Sequence, residues 1–359
     1  MIDILYIGPY RQNDDWGYTS KALATLLAAQ DVNLVLRPAW FTDEKDSKDV
    51  ETLEIYEENK LSTKDILIQH GLPSFINYNG DFKTNIAVLS VDSRIDNTDW
   101  IYHLQLMDKI IVFSQSEKQL LVSSGIDCDK VFNFDFPPLH MITKTHHLEL
   151  PSSNTCFYTV GTLDTRSGLE EMLTAYLASF SVHDSVQFAV CTREDLSQSI
   201  QDKVSELKSS LGIYSLSEYY PNVVVINNSS NEIVNFLHQK GNFYVDAGYN
   251  YTPNQNLLRA IVHGSIPIVP ETAAILGDDY DFYVETFEDV PVYPQRQIDH
   301  LWSAEFLWKK PKIASIMSCM KKAAFEKEEF ERIQQGLAAF KQQLFTVPNN
   351  EIKGFLCIN

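Results

Sequence analysis

Short apolar runs alternate along this chain with stretches whose apolar residues recur every three to four positions, a rhythm that predicts strand, loop and helix in repeated succession. Ile4 to Gly8 (ILYIG) reads as a strand and leads through a polar loop to a helix near Tyr18 to Ala29, whose Tyr18, Ala22, Leu23, Leu26 and Leu27 share one face. Val32 to Leu36, Ile66 to Gln69, Asn85 to Ser90 and Lys109 to Phe113 read as further strands. Ser114 and Glu117 have the spacing of a capping box, which starts a helix that ends near Gly125.

The rhythm breaks at Phe136-Pro137-Pro138 and restarts after a polar stretch, which places a linker at 139–153. Thr155 to Val160 is the next strand, and Ser167 with Glu170 forms a capping box for the helix GLEEMLTAYLASF. Val186 to Val190 and Val223 to Ile226 are strands, and Ser229 with Glu232 caps a helix over Ile233 to Gln239. Asn242 to Asp246 is a strand that runs into GYNYTPNQNLLRAIVHGSIPIV, Gly248 to Val269. There Thr252 stands as N-cap, Pro253 at the first helical position and Gln255 three residues after the cap. Leu257, Leu258 and Ile261 give that helix an apolar face, Gly264 ends it, and Ile266, Ile268 and Val269 begin another strand. From Ala314 to about Phe345 the pattern is nearly continuous helix, either crossing back over both halves or capping the second.

Helices long enough to cross over a sheet separate most strands, so the strands are parallel. The fold class is α/β: two Rossmann-like doubly wound parallel-sheet domains facing a cleft, with C-terminal helices. The expected divisions are an N-terminal domain at 1–138, the linker at 139–153, a second domain at 154–313 and a helical segment at 314–359.

With 359 residues, 44% of them hydrophobic, the chain has ample material for two cores. Its 29 Lys and Arg against 48 Asp and Glu leave a net charge of −19, so no nucleic-acid partner is expected. The five cysteines are scattered without paired spacing, which suggests neither a disulfide framework nor a zinc site and fits a reducing cytoplasm. No run is apolar enough for a transmembrane segment, and the N-terminus lacks export character.

Candidate chemistry collects at strand ends. In an open parallel sheet ligands bind beyond the carboxyl ends of the strands, and a helix start there faces a ligand's phosphates. His70 ends the run ILIQ and could bond a ligand there; the alternative is a histidine satisfied by local backbone. Asp92 ends NIAVLSV and either binds hydroxyls or caps a loop. Arg11, Asp15 and Trp16 lie in the loop after the first strand, where Trp16 either stacks on a ligand or packs. Asp14-Asp15 and Asp278-Asp279 read as solvated loop carboxylates, not a metal pair.

IQHGLP at 68–73, LMDKIIVFSQSEKQLLVSSGI at 106–126, FYTVGTLDTRSGLEEMLTAY at 157–176 and NFYVDAGYNYTPNQNLLRAIVHGSIPIV at 242–269 occur in one order across most of the chain. In that order they resemble the GT-B glycosyltransferases, specifically the retaining, nucleotide-sugar-using group 1 type in its short bacterial or phage-like version. The resemblance implies an acceptor on the N-terminal domain, near Arg11, Asp15 and Trp16, and a nucleotide sugar on the second. It implies transfer with retention and no metal or other cofactor. By position, His70 and Asp92 would be catalytic. Gly161, Thr162, Arg166, Ser167, Gly248, Tyr251, Thr252, Pro253, Asn254, Gln255, Asn256 and Arg259 would line the nucleotide-sugar site.

The chain departs from the family in that site. Gly161-Thr162 and Ser167-Gly168 stand where family members carry Gly-Arg and Lys-Gly, leaving Arg166 to supply charge to a phosphate. Tyr251 and Arg259 stand where the family carries two glutamates, and Arg cannot accept from ribose hydroxyls. Asn254, Gln255 and Asn256 would substitute. The expected function is therefore sugar transfer to an unknown glycan, lipid, protein or small-molecule acceptor. The alternative is a non-catalytic GT-B-like binding or assembly protein. A dinucleotide oxidoreductase is disfavoured, because GPYRQNDDWG spaces its glycines too widely for the nucleotide fingerprint.

Overall fold

The computed structural model describes residues 2–12, 15–41, 51–91, 99–134, 153, 155–161, 163, 165–192, 194–228, 230–249, 254–273, 276, 280–291, 307–326, 332–338, 340–341 and 354. The first half contains β1 (Ile2–Gly8), α1 (Asp15–Ala28), β2 (Val32–Pro38), α2 (Glu51–Glu54), β3 (Ile66–Gly71), β4 (Thr84–Leu89), α3 (Trp100–Leu106), β5 (Lys109–Val112), α4 (Gln115–Ser123) and β6 (Val131–Asn133). Its six strands form one sheet in the order β2-β1-β3-β4-β5-β6, every recorded pairing parallel.

Side chains alternate across this sheet with the period of two that a strand imposes. Ile4, Tyr6, Leu34, Leu36, Ile66, Ile68, Ile86 and Val88 join Leu23 and Leu27 of α1 in one buried cluster. Ala87, Leu89, Ile110 and Val112 join Ile101 and Leu104 of α3 and Leu120 and Leu121 of α4 in another. Both faces are thus covered, as a parallel sheet requires.

The second half contains β7 (Thr155–Val160), α5 (Leu169–Ser179), β8 (Val186–Cys191), α6 (Ser197–Leu211), β9 (Asn222–Ile226), α7 (Asn231–Lys240), β10 (Phe243–Val245), α8 (Gln255–His263), β11 (Ile266–Pro270), β12 (Tyr283–Val284), β13 (Thr286–Pro291), β14 (Leu307–Pro311) and α9 (Ile313–Phe325). The sheet order is β12-β11-β10-β7-β8-β9, again parallel. Its core is aromatic: Phe157, Tyr176, Phe180, Phe188 and Phe243 are all buried and in ring contact.

Two helix starts and one helix end differ here from the sequence expectation. Ser167 ends a short 3-10 turn, and Gly168, left-handed at φ 64°, is the N-cap of α5; the Ser167 hydroxyl accepts from Leu169 N at 3.3 Å in place of the capping-box partner Glu170. The cap of α7 is Ser230, with Ser229 outside the described residues. The helix expected through Phe345 stops at Phe325, because Glu326 leaves helical backbone; a second helical stretch covers Arg332 to Ala338. Ile316, Met320, Ile333 and Leu337 pack into the second domain's core, so the described part of this segment caps that domain. The antiparallel β13 and β14 ribbon was not foreseen. The linker proposed at 139–153 lies outside the described residues apart from Ser153. Among the described residues no helix is long and apolar enough to cross a membrane.

Candidate functional site

Each sheet has one place where the chain reverses its direction of growth, between β1 and β3 in the first and between β7 and β10 in the second. A crevice opens outside the carboxyl ends of the strands at such a point, because the two flanking loops diverge to opposite faces. The described residues predicted from the sequence lie on these loops or on the strand and helix ends beside them. His70, Arg11 and Trp16 border the first crevice; Gly161, Arg166, Ser167, Gly248 and Asn254 border the second. Asp92, Thr162, Tyr251, Thr252 and Pro253 lie outside the described residues, and Asp15 is described only as the first residue of α1.

At the second crevice α8 begins two residues later than its sequence suggests. Asn254, not Thr252, is the N-cap: its backbone is extended (φ −88°, ψ 161°) and its Oδ1 accepts from Leu257 N at 2.7 Å. An asparagine cap serves as well as a threonine one, so two adjacent candidates competed and the local backbone decided. The C-terminal end is as expected, with Gly264 left-handed at φ 94°.

Asn254 Nδ2 donates to the carboxylate of Asp246, whose other oxygen accepts from Gly248 N at 2.8 Å. Burial raises the Asp246 pKa, while the Gly248 amide, the Asn254 amide and the charge of Arg166 act in the opposite direction. Asp246 is half-buried and follows β10 directly. The sequence reading passed over it as the last residue of a strand; the signal available was a carboxylate at a strand's carboxyl end, eight residues before a helix cap.

The loops after β7 and β10 are joined by backbone. Tyr249 N donates to Arg166 O at 2.9 Å, and a Cβ on Gly168 would lie 1.9 Å from Ala247 O. Tyr249 Oη donates to Glu171 Oε1 at 2.7 Å, and Lys310 Nζ of β14 meets the same oxygen at 2.9 Å. The unforeseen ribbon therefore braces the loop that carries Gly248.

Gln255 and Arg259 meet the first domain. Gln255 is buried and its Nε2 donates to Thr19 Oγ1 at 3.2 Å, while the Arg259 guanidinium lies over the Tyr18 ring, 4.7 Å from its centroid. Spaced four apart, they share one face of α8, and that face meets α1. Asn256 is half-buried and lies by the buried His238.

At the first crevice His70 is buried with its Nδ1 2.7 Å from Tyr6 Oη, which is itself 2.7 Å from Ser20 Oγ. Burial lowers the His70 pKa to about 3, so the ring is neutral at physiological pH. Arg11 is engaged by acids: its Nε meets Glu57 Oε1 at 2.8 Å and its Nη2 meets Glu54 Oε1 at 3.2 Å. This pairing fastens the loop after β1 to the segment around α2. Trp16 packs edge-on against Phe41 at 5.5 Å, and Phe41 against Phe75 at 5.1 Å. Phe41 N is held by the buried Gln12 Oε1 at 2.8 Å. Glu117, buried at the start of α4, accepts from Val91 N at 2.9 Å and Phe113 N at 3.0 Å, and so ties down the ends of β4 and β5. Ser114 is the N-cap of α4, as expected, with Glu117 N donating to Ser114 Oγ at 3.1 Å.

No family model and no curated protein matches the sequence. The likeness is structural. A glycosyltransferase from Rickettsia africae superposes with a TM-score of 0.60 at 13% identity, covering 100% of this chain and 99% of that one. Anabaena HepE, in complex with UDP and glucose, gives a TM-score of 0.54 at 11% identity over 99% of this chain and 100% of its own. The UDP-forming α,α-trehalose-phosphate synthase of Burkholderia vietnamiensis gives 0.54 at 10% identity, covering 82% of this chain and 75% of that one. These structures are GT-B glycosyltransferases, and the chain has their fold of two Rossmann-like domains.

Proposed function

We propose that this protein is a glycosyltransferase that moves a sugar from a nucleotide-sugar donor to an acceptor, with retention at the anomeric carbon and without a metal ion or other cofactor. One observation carries the reading: at the switch point of the second sheet, the first turn of α8, Arg166 and the β10 loop are bonded into a single unit. Breaking a glycosyl-phosphate bond leaves negative charge on the departing phosphate. Unpaired amides at a helix start and a guanidinium stabilise that charge where it develops.

The GT-B fold and the UDP held by HepE support a nucleotide sugar, and make uridine nucleotides the first to test. The acceptor would enter over the first crevice; its class, whether glycan, lipid, protein or small molecule, is open. A cytoplasmic location belongs to the same proposal, and the free thiols of Cys128, Cys156, Cys191 and Cys319 support it. A second reading, a non-catalytic binding or assembly protein on the same scaffold, is favoured by Gln255 and Arg259, which are engaged by α1.

Thermal unfolding with a panel of UDP, GDP, ADP, CMP and dTDP sugars, alongside an assay for nucleotide release, tests both. At least one sugar nucleotide is expected to raise the melting temperature and to be slowly hydrolysed, since a ligand of the native state stabilises it. Stabilisation without hydrolysis or transfer to any acceptor would favour the second reading. Neither effect across the whole panel would overturn the enzyme.

A further inference from the structure

We infer that Asp246 is a positioning residue for the nucleotide sugar: its carboxylate clasps the two ends of the loop between β10 and α8, and thereby aims the α8 N-terminus and Arg166 at one phosphate. The inference rests on the reading of the second crevice as the nucleotide-sugar site.

The loop begins at Asp246 and ends at Asn254, and the side chains of these two residues are bonded to each other. Both groups that meet the carboxylate are hydrogen-bond donors, Gly248 N–H on Oδ1 and Asn254 Nδ2–H on Oδ2. Only a side chain with two accepting oxygens satisfies both, because an amide would set N–H against N–H at one of them. Asn254 cannot turn its amide over to compensate, since its Oδ1 is already accepting from Leu257 N in the first turn of α8. One carboxylate therefore fixes the rotamer of the cap, and the cap fixes the helix start.

The same loop holds Arg166, which belongs to the neighbouring loop after β7. Tyr249 N bonds to Arg166 O, so the arginine's backbone moves with the segment that Asp246 closes, and the carboxylate attracts the Arg166 guanidinium. An acid in a crevice meant for an anion should weaken binding through like-charge repulsion. Its presence there is accounted for by alignment: the positive groups gain more from being held in place than they lose to one shielded charge.

Two variants separate this role from the others a carboxylate could play. Asp246→Asn keeps the shape but removes one acceptor. The double variant Asp246→Asn with Asn254→Asp moves the carboxylate to position 254, where it accepts from Leu257 N and from the new amide at 246, while that amide's oxygen accepts from Gly248 N. Every hydrogen-bond role is restored with the charge relocated. Calorimetry with UDP and with UDP-glucose is expected to show a loss of about tenfold or more in affinity for Asp246→Asn, and recovery to within about threefold for the double variant. Hydrogen exchange at the Gly248 and Leu257 amides in the unliganded proteins should follow the same order, faster in the single variant and slowed again in the double.

Undiminished or tighter UDP binding by Asp246→Asn would overturn the inference and leave charge repulsion as the residue's main effect. Failure of the double variant to recover affinity would overturn it too, and would mean that the carboxylate at 246 touches the ligand itself. If the wild-type protein binds neither UDP nor UDP-glucose, the uridine form of the nucleotide-sugar reading fails. Exchange then decides the clasp alone, and unchanged exchange in Asp246→Asn overturns it.

Discussion

Lowering the pH should destabilise the first domain through His70 by an amount its surroundings define. The ring is 3% exposed, bonded at Nδ1 to Tyr6 Oη at 2.7 Å and flanked by Phe113 at 5.9 Å between centroids. Burial takes its pKa from 6.5 to about 3 in the folded protein. Between those values the unfolded chain carries a proton on this histidine that the folded chain does not. The stabilisation is complete above pH 6.5, falls as the pH drops, and is fully lost only near pH 3. At pH 5 the deficit spans about 1.5 pH units, and at about 1.4 kcal/mol per unit it amounts to roughly 2 kcal/mol. That is a large share of the about 5–15 kcal/mol by which domains are normally stable. Urea denaturation of wild type and His70→Asn at pH 7 and pH 5 measures it. The asparagine amide can still meet Tyr6 Oη but does not titrate. The variant will be less stable at both pH values because it loses ring packing, yet its loss between them should be smaller by about 2 kcal/mol. The buried His238 and other titrating groups contribute to both proteins and cancel in the difference. Equal pH sensitivity in the two would refute the reasoning, and would mean that His70 is protonated in the folded state or is solvated.

Other substitutions probe the two loops and the α1 contact. Arg166→Ala is expected to weaken UDP binding more than Arg259→Ala does, as read by calorimetry; the reverse ranking would mean the phosphate's cation has been misassigned. Arg259→Ala should act instead through Tyr18, with a stability coupling of about 0.5–2 kcal/mol in a double-mutant cycle with Tyr18→Leu, and zero coupling would show the ring contact to be incidental. Gly168→Ala should cost roughly 2–4 kcal/mol in urea denaturation, because its Cβ would lie 1.9 Å from Ala247 O at φ +64°. Gly161→Ala, with nothing within 4 Å of its Cβ position, should change the midpoint little.

The fold was legible where one local signal stood alone. Ile4 to Gly8 and Thr155 to Val160 are short, mostly apolar runs and became strands, and Ser114 with Glu117 had no rival cap nearby. It was illegible where signals competed at adjacent positions. Thr252 and Asn254 are both good caps, and the choice depended on the bond from Asn254 to Asp246, a contact that no spacing rule contains. Ser167 lost its role to Gly168 because the close approach of Ala247 forces a left-handed residue there, a tertiary demand invisible in sequence. Site residues followed the same division. Position at a strand end pointed to Arg166 and Gly248, which lie on the loops after β7 and β10. Which way a helical side chain turns was not readable, and the contacts of Gln255 and Arg259 with α1 could not be foreseen.

The contact between Gly168 and Ala247 has a consequence for redesign. With no side chain between them, the loops after β7 and β10 are cut to each other's backbone, and Tyr249 N on Arg166 O stitches them a second time. Grafting either loop by itself from another protein of this fold would misalign both seams. The portable cassette is the pair, Gly161 to Leu169 together with Asp246 to Leu257, transplanted as one piece.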